Sequence, residues 1–154
     1  MSNLEDLYRE IILDHYRSPR NRGELASPPA HRVEGFNPLC GDEIVVYLEV
    51  RDDELVDIKI AGTGCSISQS SASLMSAAVK GKSLGDVHKV IDKFKQLMTV
   101  TEGTLEDGSE PEPIDLRAMG ELAALAGVVK FPVRIKCATL SWNTLAQGIS
   151  DLSL

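Results

Sequence analysis

The chain has 154 residues, 43% hydrophobic and 25% charged, with 16 Lys and Arg against 23 Asp and Glu, a net charge of −7. That length suits one domain, residues 1–154, with one modest core. The acidic balance argues against nucleic acid as a partner, which calls for a basic face, and suits docking on a basic patch of another protein. No apolar run approaches the ~20 residues of a membrane span. The N-terminal "MSNLEDLYREIILDHYR" is charged throughout, unlike a signal peptide, so a reducing cytoplasm is the expected compartment.

In chain order, residues 2–17 read as an amphipathic helix. Ser2 and Glu5 have capping-box spacing, and Leu4, Leu7, Tyr8, Ile11 and Ile12 fall on one stripe. Ser18-Pro19 stops it. "SPPAHRVEGFNP" is a loop with room for a short strand near Val33 to Phe36. "EIVVYLEV" (43–50) and "LVDIKIA" (55–61) are strands, with "RDDE" as the hairpin turn. Ile44, Val46, Leu48 and Val50 alternate in the first; the second starts less regularly, with Leu55 ahead of Ile58 and Ile60. "GTGCS" breaks the sheet. A helix of mostly small residues follows and closes at Gly81. Ser83 and Asp86 open another, to about Met98. Residues 101–114 are acidic and rich in Gly and Pro, a surface loop. Asp115 caps a short helix to about Ala126, and a last helix runs from about Pro132 to about Gly148. The sum is a small antiparallel sheet followed by helices, an α+β domain.

The chemistry-bearing residues are few. Cys40, Cys65 and Cys137 are odd in number and far apart, which argues against a disulfide framework. Cys40 and Asp42 stand two apart in a polar stretch expected to be open to solvent. In an extended segment both side chains reach one ion, and Gly41 between them leaves the approach clear. Cys65 lies between a strand and a helix, where the helix dipole and free N–H groups favour a thiolate. Cys137 falls in the first turns of the last helix. Three thiolates and a carboxylate form a possible tetrahedral metal set. Pattern alone leaves this beside a plainer reading, three small inert core thiols, because the spacing is not that of a zinc ribbon.

His15, His31 and His88 neighbour no cysteine in sequence and read as surface or packing residues. Trp142 and Leu145, at helical spacing, read as core. The acidic run 102–112 reads as a solvated loop.

Three stretches, "NPLCGDEIVVYLEV", "GTGCSISQSSASLM" and "FPVRIKCATLSW", together resemble the IscU/NifU N-terminal (U-type) iron–sulfur cluster assembly family, and within it the SufU branch. The resemblance covers nearly the whole chain, "LYREIILDHYRSPRNRG" included. It implies a three-stranded antiparallel sheet packed by helices (SufE/NifU-like). It implies the ligand set Cys40, Asp42, Cys65 and Cys137. Three departures from the IscU branch stand out. Lys136 occupies the position of a His before the third Cys. "KFPVRIKC" lacks the double proline of a chaperone-binding motif. "GTLEDGSEPEPIDLRAMGE" resembles the insertion that marks the SufU branch.

These departures point to zinc-dependent sulfur transfer. The implied partner is a pyridoxal-phosphate cysteine desulfurase (SufS-type), with a downstream iron–sulfur assembly scaffold as recipient. Cys40, on a glycine-flanked loop, is the expected sulfur acceptor. Arg134, about one turn before Cys137, is a candidate to offset the site's negative charge, against the plainer reading of an exposed helix arginine. The alternative function is a scaffold on which an iron–sulfur cluster is assembled, the same ligands holding iron. A structural zinc module and a Cys–His hydrolase are poorer readings, the first because structural sites favour four N or S ligands, the second because sequence sets no His beside a Cys.

Overall fold

A computed structural model describes residues 3–26, 30–38, 41–99, 120–130 and 132–152. Ser2 with its capping box, Cys40, the 101–114 loop and Asp115 lie outside the described residues.

The sheet is a meander of β1 (His31–Asn37), β2 (Asp42–Arg51) and β3 (Glu54–Thr63), with both pairs antiparallel and β2 central. Each strand is longer than the apolar alternation alone predicts. Asn37 pairs with Asp42 at one end of β1–β2, so polar residues extend the ladder beyond the hydrophobic run. At the other end, Asp52 and Asp53 both have positive φ (50° and 61°) between the paired Arg51 and Glu54. That is a two-residue turn of the I′ kind, whose twist matches the strands.

The irregular start of β3 has a simple cause. Glu49 pairs with Asp57 and Val50 with Leu55, so Val56 is an extra residue in β3. Leu55 and Ile58 are three apart and would face opposite sides of a regular strand. The bulge turns both inward, and both are fully buried.

Helices cover one face of this sheet. α1 (Asn3–Arg17) packs on α2 (Ser66–Val79), α2 lies against β3, and α3 (Leu84–Thr99) follows. Tyr8, Ile11 and Ile12 of the expected α1 stripe pack on the core, but Leu7 is exposed. α2 ends in a type II turn: Lys80 sits at φ −59°, ψ 130°, Gly81 at φ +81°, and Lys82 N–H donates to Val79 O. Ser83 Oγ accepts the N–H of Asp86, the expected cap.

Two expectations are corrected. The short helix expected up to Ala126 is a 3-10 helix, η1, over Gly120–Lys130. Leu122 to Leu125 are buried consecutively, because α1, α2, α3 and the last helix surround the segment and leave it no polar face. The last helix, α4, does not stop at Gly148 but spans Pro132–Leu152. Gly148 is a contact point: a Cβ there would lie 2.7 Å from Leu48 Cδ1 and 2.9 Å from Val33 Cγ1. Glycine thus lets α4 settle on β1 and β2. The core beneath holds Trp142 and Leu145, as expected, and Phe94 stacks on Trp142 with ring centroids 4.2 Å apart.

Candidate metal centre

Asp42, Cys65 and Cys137 each offer a donor atom, and these atoms lie within 4.8 Å of one another. Three different elements bring them together. Asp42 opens β2. It is in phase with Ile44, Val46 and Leu48, so its side chain points to the helix-covered face. The expectation of an open site is therefore wrong for Asp42, which is 1% exposed. Gly41 before it has φ +69°, so the backbone leading into Asp42 is not simply extended either.

Cys65 is the N-cap residue of α2, in extended conformation, and its side chain makes no capping bond. Its carbonyl instead accepts the N–H of Gln69 and the hydroxyl of Ser68. Its own N–H donates to Asp42 Oδ1 at 3.0 Å. Gly64 permits that approach, since a Cβ on it would meet Asp42 Oδ1 at 2.6 Å and collide with Ser68 Oγ. Arg22 braces the same loop, donating to Gly62 O at 2.9 Å and to Gln69 Oε1 at 3.0 Å.

Cys137 comes from the second turn of α4 and is buried. Its Sγ lies 3.7 Å from Val133 O and 3.8 Å from Asn37 Nδ2. Asn37 is itself buried and faces Asp42 across the β1–β2 pair. Asn37, Ser68 and Arg22 were not singled out in the sequence. Asn37 carried a signal, its phase with Val33 and Gly35 on β1; the other two carried none.

Asp42 Oδ2 is buried and has no hydrogen-bond partner among the described residues. A buried carboxylate oxygen without a partner is costly, and a cation beside it removes that cost. Two thiols and a carboxylate are also donors that zinc accepts. The residues present thus fit a metal ion. Cys65 is a free thiol.

Among the described residues no histidine joins this group. His15 is a buried packing residue, with Nδ1 2.7 Å from Ser73 Oγ and Nε2 2.8 Å from Glu121 Oε2. His31 Nε2 lies 3.4 Å from Asp151 Oδ2, and His88 is exposed on α3. Arg134 and Lys136 are exposed on the first turns of α4, and among the described residues neither forms an ion pair. Among the described residues no helix is long and apolar enough to cross a membrane.

Fold and site together define an α+β protein that gathers two thiols and a carboxylate at one end of its sheet. Residues 7–151 match the NifU-like N-terminal domain, and the chain belongs to that family. It is 44% identical over 149 residues to the zinc-dependent sulfurtransferase SufU of Bacillus subtilis strain 168, covering 97% of this chain and 93% of the relative. It is 38% identical over 149 residues to the iron–sulfur cluster assembly scaffold protein IscU of Streptococcus pyogenes serotype M1, covering 97% and 86%. A crystal structure of a candidate iron–sulfur cluster assembly scaffold for the SUF system, from Fervidobacterium islandicum AW-1, superposes with a TM-score of 0.75 at 31% identity, covering 90% of this chain and 93% of that one.

Proposed function

We propose that this chain is a zinc-dependent sulfur transfer protein of iron–sulfur cluster biogenesis, accepting persulfide sulfur from a cysteine desulfurase. The observation that carries the reading is the buried Asp42 Oδ2, without a hydrogen-bond partner among the described residues, beside the thiols of Cys65 and Cys137. The 44% identity to a zinc-dependent sulfurtransferase over nearly the whole chain supports the choice of metal and activity.

Asp42, Cys65 and Cys137 hold the zinc, with Cys40 as the fourth ligand, two residues before Asp42 in sequence. Bound zinc keeps thiolates deprotonated and, being redox-inert, guards them against oxidation. Cys40 is the sulfur acceptor. Its thiolate attacks the outer sulfur of the desulfurase persulfide; a new S–S bond forms, the donor's S–S bond breaks, and the donor cysteine leaves as thiolate. Cys65 and Cys137 stay anchored at their helix starts. Asp42 Oδ1 fixes the Cys65 backbone while Oδ2 stays free to bind or yield. Arg134, exposed one turn before Cys137, offsets the site's negative charge as the partner docks. The partner is a SufS-type desulfurase, and the sulfur passes on to a downstream assembly scaffold.

The alternative is a scaffold on which an iron–sulfur cluster forms. It is favoured by the 38% identity to a protein of that name and by donors that suit iron as well. Anaerobic metal and sulfide analysis, paired with desulfurase turnover, separates the two. Zinc without sulfide, and a turnover gain lost in Cys40→Ala, is the expected result. Iron with acid-labile sulfide and no gain overturns it in favour of the scaffold.

A further inference from the structure

Asn37 closes the β1–β2 ladder opposite Asp42, and neighbours in register on one face of such a pair have side chains within reach of the same point. Its side chain is in phase with Val33 and Gly35, so it too points to the face that α4 covers. There its amide nitrogen meets Cys137 Sγ at 3.8 Å, and both residues are buried. The hairpin end thus presents a carboxylate toward Cys65 and an amide toward Cys137. The two cysteines are not equivalent. Cys65 is half-buried at a helix start, its side chain making no capping bond. Cys137 is enclosed and receives an N–H.

We infer that Asn37 is a positioning residue for the metal centre: its amide N–H, directed at Cys137 Sγ, holds that sulfur as the retained ligand while sulfur transfer proceeds at another thiolate. An N–H donated to sulfur draws electron density from it and blunts it as a nucleophile. It also fixes the χ1 of Cys137, so the sulfur is aimed before any metal arrives. Outer-shell donors act in this way on metal ligands generally. The inference deepens the proposed function and rests on it for the word ligand; the amide–sulfur contact itself stands without metal.

The test uses the full chain with Asn37→Leu, nearly the same size but with no amide, and Asn37→Gln, which keeps the amide. Zinc affinity is measured by competition with a chromophoric chelator. Alkylation of each cysteine by iodoacetamide is followed by peptide mass spectrometry, with and without zinc. In Asn37→Leu we expect zinc affinity to fall about tenfold and Cys137 alkylation to rise about tenfold, with Cys65 alkylation unchanged and partial recovery in Asn37→Gln. Equal rises at Cys65 and Cys137 indicate general loosening and overturn the inference; so does an unchanged Cys137 rate. Should the variants fail to fold, the unaltered chain still decides: after incubation with a cysteine desulfurase and cysteine, a persulfide mapped to Cys137 overturns the inference, and its absence there with persulfide elsewhere upholds it. Failure of the unaltered chain to bind zinc counts against the proposed function alone, because the metal-free alkylation rates still report on Asn37.

Discussion

The backbone N–H of Cys65 donates to Asp42 Oδ1 at 3.0 Å, tying the start of β2 to the start of α2. The carboxylate is thereby split in two. One oxygen is structural and orders the loop that carries Cys65. The other, Oδ2, is buried with no partner among the described residues and is free for a cation. A carboxylate is a harder and weaker zinc donor than a thiolate, which suits it to letting go.

Asp42→Ala is therefore expected to keep the metal bound, or bind it more tightly, while sulfur transfer from the desulfurase falls by about tenfold. It also leaves the Cys65 N–H without its acceptor, at a cost of about 1 kcal/mol in stability. Asp42→Asn keeps an acceptor oxygen for Cys65 and should lose transfer without that loss of stability. Metal analysis, denaturant unfolding and desulfurase turnover read the three effects separately. Equal transfer by Asp42→Ala and the parent would sink the division of labour.

Gly64 sits inside the same contact. A methyl group there meets Asp42 Oδ1 at 2.6 Å and collides with Ser68 Oγ, and neither neighbour can retreat without breaking a hydrogen bond. Gly64→Ala is expected to destabilise the chain by about 1–3 kcal/mol, the usual range for overpacking. It should also lower the zinc bound per chain in the folded protein. An unfolding curve and zinc analysis on the same preparation suffice; a variant with parental stability and full zinc would show that the loop has slack this geometry denies it.

Much of this was legible in the residues, and the misses have physical causes. Residue pattern alone leaves the thiols between a metal set and inert core cysteines; the family resemblance is what groups Asp42, Cys65 and Cys137 with Cys40, and the structure brings the three described donors together. The burial of Asp42 does not show in the sequence because the apolar run of β2 begins only at Ile44, after Glu43. Counting back in steps of two from Leu48, Val46 and Ile44 reaches Asp42. Asn37 was missed for the same reason on β1, whose expected span of Val33 to Phe36 stopped one residue short. Gly148 reads as a helix stop, yet a buried glycine in a helix can equally mark a close crossing, and only the partner strand tells which. The extra residue at Val56 shows as two apolar positions three apart, a signal that needs the β2 register before it means anything.

The β2–β3 turn offers a gain in stability. Asp52 and Asp53 both hold a left-handed backbone, which carboxylate residues tolerate but glycine adopts freely. Asp53→Gly sets an Asp-Gly pair in a turn that prefers one and is expected to stabilise the chain by about 0.5 kcal/mol, after the entropy glycine adds to the unfolded state. Both positions are exposed and no site residue is near in sequence, so zinc content and transfer should not change. Urea unfolding with an unchanged slope is the measurement; a lower midpoint would mean that the aspartate backbone is not strained.

Ser71 joins the two helices that carry Cys65 and Cys137. Its hydroxyl donates to Ala138 O at 2.6 Å and accepts the indole N–H of Trp142 at 3.0 Å. Ser71 and Trp142 are fully buried. Ser71→Ala removes the acceptor, leaving the indole N–H unpaired in a dry core, a loss of about 1–3 kcal/mol. For a chain of this length that corresponds to a fall in Tm of about 2–4 °C for each kcal/mol. Trp142 is the chain's one tryptophan, so its fluorescence reports the same event from inside the helix pair. The double change Ser71→Ala with Trp142→Phe removes donor and acceptor together. The unpaired indole N–H penalises Ser71→Ala alone and is absent from the double variant, so the two single losses should sum to more than the double variant shows. Strict additivity would mean the indole N–H is satisfied some other way, and that Ser71 holds α2 to α4 through Ala138 alone.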